Sequence, residues 1–240
     1  MFVQPLIEEA GVRLRNVEAG YPRRPVLRQL TARLPESAVT AVVGPNGSGK
    51  STLLGVVAGV LPHSSGVVTR GGLVRPGLVV QRSAVPDSLP LTVRGAVTMG
   101  RWARRGPWRR LTRHDRSVVE HSMERLGIRD LARRQLGELS GGQRQRAFVA
   151  QGLAQEPDLF LLDEPTTGLD ARAKDAILAV LAEAAADGAA VVQATHDMAA
   201  AGSADHCLVL QQGRLVAEGA PRDVLTDDRL RQVWGLPEAA

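Results

Sequence analysis

Eight consecutive residues, Gly44-Pro45-Asn46-Gly47-Ser48-Gly49-Lys50-Ser51, have the types and spacing to hold a phosphate. They fit the pattern G-x-x-x-x-G-K-[ST] in full. The glycines let backbone N–H groups turn inward around phosphate oxygens, a conformation that side chains would block. Lys50 supplies a cation for the β- and γ-phosphates, and the Ser51 hydroxyl supplies a ligand for Mg²⁺. The wholly apolar run Val39–Val43 precedes the loop and a helical pattern, Thr52–Gly59, follows it. The positive end of that helix, with Thr52 in its first turn, therefore points at the same anion.

A second group is Leu159-Phe160-Leu161-Leu162-Asp163-Glu164-Pro165. The apolar run reads as a buried strand, and its two acids stand at the carboxyl end, where open α/β sheets bind ligands. Asp163 is placed to hold the hydration shell of Mg²⁺. Glu164 is placed to polarise an attacking water, a role worth about 10²- to 10⁴-fold in rate. A pair of acids capping the next helix is the alternative. The third group, Leu139-Ser140-Gly141-Gly142-Gln143, opens another helix and exposes N–H groups to an anion. One nucleotide needs only one γ-phosphate cradle, so a second cradle in the same chain makes sense if it serves a partner's nucleotide. An N-cap serine followed by flexible glycines is the plainer reading.

These groups must be positioned by a chain of 240 residues that is 44% hydrophobic, 23% charged and 3% aromatic. That length suits one α/β core with an insertion and is too short for two nucleotide-binding domains in tandem. The longest apolar stretch, from Thr52 to Pro62, falls well short of the roughly 20 residues that span a bilayer. The first eleven residues lack a basic, signal-type leader, and the single cysteine, Cys207, excludes an internal disulfide. The expectation is an intracellular protein. The net charge of +5 invites a nucleic-acid reading, but 28 of the 30 basic residues are arginine, which looks like a coding bias rather than a basic face. Lysine survives only at Lys50 and Lys174.

Val12–Gly20, Val26–Leu34, Val39–Val43 and Gly77–Gln81 read as strands. Helical patterns then replace them at Thr92–Trp102, Arg113–Leu126 and Ser140–Gln155. The sheet resumes with Leu159–Leu162, a helix at Ala171–Ala186 and the strand Ala189–Thr195. A hairpin, His206–Gln211 with Arg214–Glu218, and a helix at Pro221–Trp234 close the chain.

Taken in order, the Lys50 loop, Leu139–Gln143 and Asp163-Glu164 resemble an ATP-binding-cassette (ABC) ATPase, over nearly the whole chain from about Val12 to Trp234. The resemblance implies a P-loop core of mixed sheet and helices, an antiparallel β subdomain and an inserted α-helical subdomain. It makes residues 1–240 one cassette. About 1–81 and 157–240 form the core with the β part, and about 82–156 form the helical part. It also gives roles to further residues. Tyr21 matches the aromatic that stacks on adenine. Gln81 matches the glutamine that joins the γ-phosphate and Mg²⁺ to the helical part. Asp170 matches the aspartate that crosses the dimer interface, and His196 the histidine that contacts the γ-phosphate. A strand-end aromatic, a polar strand terminus, an exposed N-cap and a structural histidine are the respective alternatives. No motif of the set is missing, which implies an active ATPase using ATP and Mg²⁺.

The resemblance further implies a homodimer in which each ATP lies between one chain's Lys50 loop and the other's Ser140–Gln143. With one cassette and no membrane span, the chain looks like the detached ATPase subunit of a bacterial transporter. It would work at the cytoplasmic face of the cell membrane with permease subunits and, indirectly, an extracytoplasmic binding protein. The insertion resembles that of zinc and manganese importers, and the ending Asp223–Gly235 resembles that of metal and metal-chelate importers, with zinc ahead of manganese. Importers of siderophores or cobalamin, and exporters, are the alternatives. A nucleic-acid machine should carry long heptad repeats, and none is present. Arg101, Arg104, Arg105, Arg109, Arg110 and Arg113, with Trp102 and Trp108, make a basic aromatic patch suited to the membrane partner or to anionic headgroups. A solvated loop is the alternative. The pair His206-Cys207 is more simply strand filler than a metal site.

Overall fold

The computed structural model describes residues 10–22, 24–79 and 90–235. Gln81 and the boundary expected near residue 82 lie outside them. Among the described residues nine strands form two sheets. The larger has the order β5 (Pro76–Val79), β6 (Leu159–Asp163), β7 (Ala190–Ala194), β3 (Ala38–Val43), β8 (His206–Gln211) and β9 (Arg214–Gly219). All neighbours from β5 to β8 are parallel, and only the β8–β9 hairpin is antiparallel. Parallel strands need both faces covered, which is why β3, β6 and β7 are almost continuous apolar runs.

The period of two along each strand decides what covers each face. Val42, Leu161, Val192 and Leu208 point to helix α1 (Lys50–Ala58) and to the smaller sheet. That sheet is antiparallel, in the order β2 (Arg24–Pro35), β1 (Gly11–Tyr21) and β4 (His63–Thr69). Helix α1 lies between the two sheets, and Leu53, Leu54, Val56 and Val57 are buried on every side of it. Val39, Phe160, Leu162 and Val191 point the other way. They pack on α2 (Val93–Met99), α4 (Arg113–Arg125), α5 (Gly141–Leu153) and α6 (Ala171–Ala186). Further along that face, Ala41, Val43, Cys207 and Val209 meet α7 (Met198–Gly202), α8 (Pro221–Val224) and α9 (Asp227–Trp234).

Three local differences from the sequence reading have physical causes. Strand β4 shows no alternation because it is an exposed edge strand of polar and small residues, His63-Ser64-Ser65-Gly66, held by its bonds to β1. The helix expected over Pro221–Trp234 is two helices, parted at Leu225-Thr226. The short helix α7 was not anticipated. It is started by Asp197, whose side chain accepts from the N–H groups of Ala199 and Ala200.

The basic patch also divides. Arg101, two residues past the end of α2, is 1% exposed. Its guanidinium donates to Asp115 Oδ1 at 3.0 Å, to the Ala154 carbonyl at 2.7 Å and to Glu156 at 2.9 Å. Arg105, in the short helix α3 (Trp102–Arg105), reaches Asp115 Oδ2 at 3.0 Å, and Arg104 reaches Glu156 at 3.0 Å. These three arginines, expected on the surface patch, instead clamp the start of α4 to the end of α5.

Candidate functional site

The glycine-rich loop joins β3 to α1 at the carboxyl end of the parallel strands, in the centre of the sheet. Gly44 has φ +155°, and a Cβ there would lie 2.2 Å from the Leu210 carbonyl oxygen, so the loop can sit against β8 only with glycine. Gly47 has φ +79° and opens onto free space. Helix α1 starts from Gly49 with no side chain capping its amino end, whereas Thr92, Thr112, Ser140, Asp170 and Asp197 cap α2, α4, α5, α6 and α7. The uncapped N–H groups are left to an anion. Lys50 Nζ donates to the carbonyls of Gly44 at 2.8 Å and Pro45 at 3.2 Å, which folds its ammonium over the loop. Burial lowers the Lys50 pKa, while the charges of Glu164 and Asp163 oppose that fall.

A cavity of about 300 Å³ opens beside the loop. Asn46, Gly47, Gly49, Lys50, Ser51 and Thr52 line one side, Asp163 and Glu164 another, and Tyr21 stands at its edge with Arg24 and Val26. Tyr21 is 56% exposed at the end of β1, a flat face open to a planar ring. Its register partner on β2 is Arg24, which sequence reading did not single out although the short turn between them forces the two together. Pro45 and Ser48 shape the loop from behind, through the bond from Ser48 N–H to the Pro45 carbonyl.

The donor set suits a Mg²⁺–nucleotide. A hydroxyl and a carboxylate meet where β6 ends, for Ser51 and Asp163 line the same cavity. Burial pushes the Asp163 carboxyl above its usual range and the Glu164 charge adds to this, while Ser51 and Lys50 work against it. A carboxyl raised in this way is one that a nearby cation would draw back to its charged form.

Glu164 has the left-handed φ of +52°, uncommon outside glycine, and its N–H bonds to the Ala194 carbonyl at 3.0 Å. This turn swings its side chain away from β6, toward His196 at the end of β7. Glu164 Oε2 is 2.7 Å from His196 Nδ1 and accepts the Thr167 hydroxyl at 2.6 Å. His196 thus contacts Glu164 and stays 55% exposed at its side chain. Lys174 reaches Asp197, the residue after His196, at 2.7 Å. Thr167 was missed because only the turn at Glu164 brings it onto the carboxylate.

Ser140, Gly141, Gly142 and Gln143 do not line the cavity. They open α5 with a capping box, in which Ser140 Oγ accepts from Gln143 N–H at 3.3 Å and Gln143 Oε1 accepts from Ser140 N–H at 3.0 Å. Asp170 caps α6 by accepting from Ala173 N–H at 2.8 Å. His206 bonds Glu218 at 3.2 Å, and the Cys207 thiol, fully buried, is pushed up to about 12. No cluster of three metal ligands is present among the described residues, and no described helix is long and apolar enough to cross a membrane.

The ABC transporter family pattern matches residues 27–167. The manganese transport system ATP-binding protein MntB of Bacillus subtilis (strain 168) is 35% identical over 230 residues, covering 93% of this chain and 92% of that protein. The hemin import ATP-binding protein HmuV of Nocardia farcinica is 40% identical over 228 residues, covering 90% of this chain and 78% of that protein. Among solved structures, a metal-chelate type ABC transporter in an inward-facing conformation superposes with a TM-score of 0.84 at 31% identity, covering 95% of this chain and 90% of that one. The fold, the phosphate loop and this kinship together make the chain a member of the ABC transporter family, an ATP-binding and ATP-hydrolysing subunit.

Proposed function

We propose that this subunit couples ATP hydrolysis to the import of a divalent metal ion, zinc ahead of manganese. The supporting observation is that transport proteins for both metals are alike to it along nearly their whole length. MntB is joined by the zinc transport system ATP-binding protein TroB of Treponema pallidum (strain Nichols), 34% identical over 94% of this chain and 87% of that protein. The likeness to HmuV favours a metal chelate as the second reading. Two copies meet head to tail, at the cytoplasmic face of the cell membrane, beneath permease subunits and an extracytoplasmic binding protein. Each nucleotide lies between one copy's Lys50 loop and the other's Ser140–Gln143. Residues of about 82–156 form the helical subdomain between the flanking core segments.

In this reading Lys50 and the loop N–H groups bind the phosphates and Tyr21 stacks on the base. Ser51, Asp163 and Gln81 would hold Mg²⁺, which neutralises charge on the phosphate oxygens. Glu164 orients the attacking water and takes its proton, and His196, bonded to Glu164, contacts the γ-phosphate. Asp170 reaches toward the partner copy. Loss of the γ-phosphate removes contacts from both faces, and the dimer loosens.

Lys50→Ala should lower ATP affinity by roughly 10- to 100-fold, because a charge-assisted contact of about 1.5–3 kcal/mol is lost. A nucleotide-binding titration reads this directly. The cargo is tested by elemental mass spectrometry of a metal-limited strain lacking the gene. Zinc alone should fall and return with the wild-type gene but not with Glu164→Gln. A fall in iron alone supports the chelate reading, and unchanged metals refute both.

A further inference from the structure

The loop between α3 and α4 ends in a bare aromatic tip. Trp108 is 94% exposed in a chain with only three tryptophans. Arg109 and Arg110 follow it, and Arg113 and Arg116 open α4. None of these four arginines has a carboxylate within ion-pair distance among the described residues, in contrast to Arg101, Arg104 and Arg105 at the loop's root. The root is rigid: Arg101 and Asp115 form a buried pair at 2.9 Å, with side chains 2% and 1% exposed. The fold therefore spends its acids on holding the loop and leaves the tip cationic.

We propose that this loop is a membrane anchor that takes anionic phospholipid headgroups, with Trp108 in the interfacial layer and Arg109 and Arg110 on lipid phosphates. This rests on the reading of the chain as a transporter subunit at a membrane surface. The chain neighbours of Trp108 are Pro107, Arg109 and Arg110, all exposed, so the tryptophan is flanked by cations and has no apolar ring of the kind that surrounds a protein hot spot. A lone tryptophan among arginines matches the composition of the membrane interface, where each basic residue raises partitioning by roughly fivefold.

The test is flotation of the purified subunit with phosphatidylcholine vesicles, with and without phosphatidylglycerol. Wild type should float only with the anionic vesicles, and less so as salt rises. Trp108→Ser, which leaves the charge unchanged, should weaken flotation at least several-fold, and Arg109→Gln with Arg110→Gln more than tenfold, both with normal ATPase activity. Failure of wild type to float, or equal flotation of the variants, overturns the proposal. So does equal flotation accompanied by loss of the variants from detergent-solubilised permease, which would make the loop a protein contact. Metal import by wild type is measured separately, so the anchor can fail while the transporter reading stands.

Thr167 carries a separate role. Its hydroxyl and His196 Nδ1 both bond Glu164 Oε2, at 2.6 and 2.7 Å, and neither uses Oε1. We infer that Thr167 is a positioning residue that fixes the Glu164 carboxylate and ties it to the segment leading to Asp170. Thr167→Val should lower kcat about tenfold with KM for ATP within about twofold, and Thr167→Ser should restore most of the rate. In a Glu164→Gln background the valine should cost nothing further. Equal loss in Val and Ser, a rise in KM instead of a fall in kcat, or an additive loss in the double variant would overturn the assignment. A wild-type rate in Glu164→Gln alone would instead remove the reading of Glu164 as the base.

Discussion

Glu164→Gln should bind ATP normally and turn it over about 10²- to 10⁴-fold more slowly. The substitution keeps the shape of the side chain, so the turn with φ +52° and the bond from Glu164 N–H to the Ala194 carbonyl are retained. The amide oxygen can still accept from Thr167. What disappears is a carboxylate able to take a proton from water. Lys50 and the glycine loop, the proposed phosphate site, are untouched, and removing one charge beside Lys50 does not weaken its grip on an anion. In the proposed dimer the two copies part after hydrolysis, so the variant should also accumulate as a closed dimer with ATP. A binding titration beside a phosphate-release assay separates the two effects. Turnover at the wild-type rate would mean that another group activates the water.

The second large effect concerns stability. Asp115→Ala should destabilise the protein by about 3–5 kcal/mol, because it strands Arg101 in the interior without its partner. Arg101 would keep Ala154 and Glu156, but the pair with Asp115 is the one in which both side chains are buried. Truncating Arg101 and Asp115 together, with Arg101→Met and Asp115→Ala, should cost less than Asp115→Ala alone, since no charge is then left unpaired. The sign of the pH dependence follows from the same contacts. The Asp115 carboxyl is held well below the usual carboxylate range, first by the Thr112 hydroxyl at 2.6 Å and then by the Thr112 N–H, Arg101 and Arg105, against its burial. A depressed folded value stabilises the protein above the unfolded value near about 3.9 and loses that contribution as pH falls through the folded value. The stability gap between wild type and Asp115→Asn should therefore be constant at neutral pH and narrow below about pH 4. Urea unfolding at several pH values measures it.

The phosphate loop was legible in the sequence because its chemistry and its geometry demand the same residues. Gly44 must be glycine to pass Leu210, and the Lys50 ammonium folds back over the loop onto the Gly44 carbonyl, where the proposed phosphate would sit. The strands were legible where burial on both faces imposed continuous apolar runs, as in β3, β6 and β7, and illegible at the exposed edge strand β4. Within 101–116 the arginines look alike in sequence. Which of them turn inward depends on the acids Asp115 and Glu156, 10 or more residues away from Arg101 and Arg105, and only packing brings these together. Thr167 was hidden for a similar reason, since its contact depends on the left-handed turn at Glu164. Ser140 and Asp170 do serve as N-caps, the plainer reading of each. Capping does not exclude a further role in a dimer, because a capping oxygen keeps a second lone pair and the chain beside it still faces out.

That dimer is the central claim, and trans-complementation tests it most directly. Lys50→Ala disables a chain's own loop, and Ser140→Arg disables the surface it would lend to a partner. Each variant alone should be inactive. Co-expressed and purified together, they should recover roughly a quarter of the wild-type rate, since half of the dimers are mixed and each mixed dimer holds one intact site. No recovery in verified mixed dimers would mean that Lys50 and Ser140 must act within one chain, and the head-to-tail arrangement would fall.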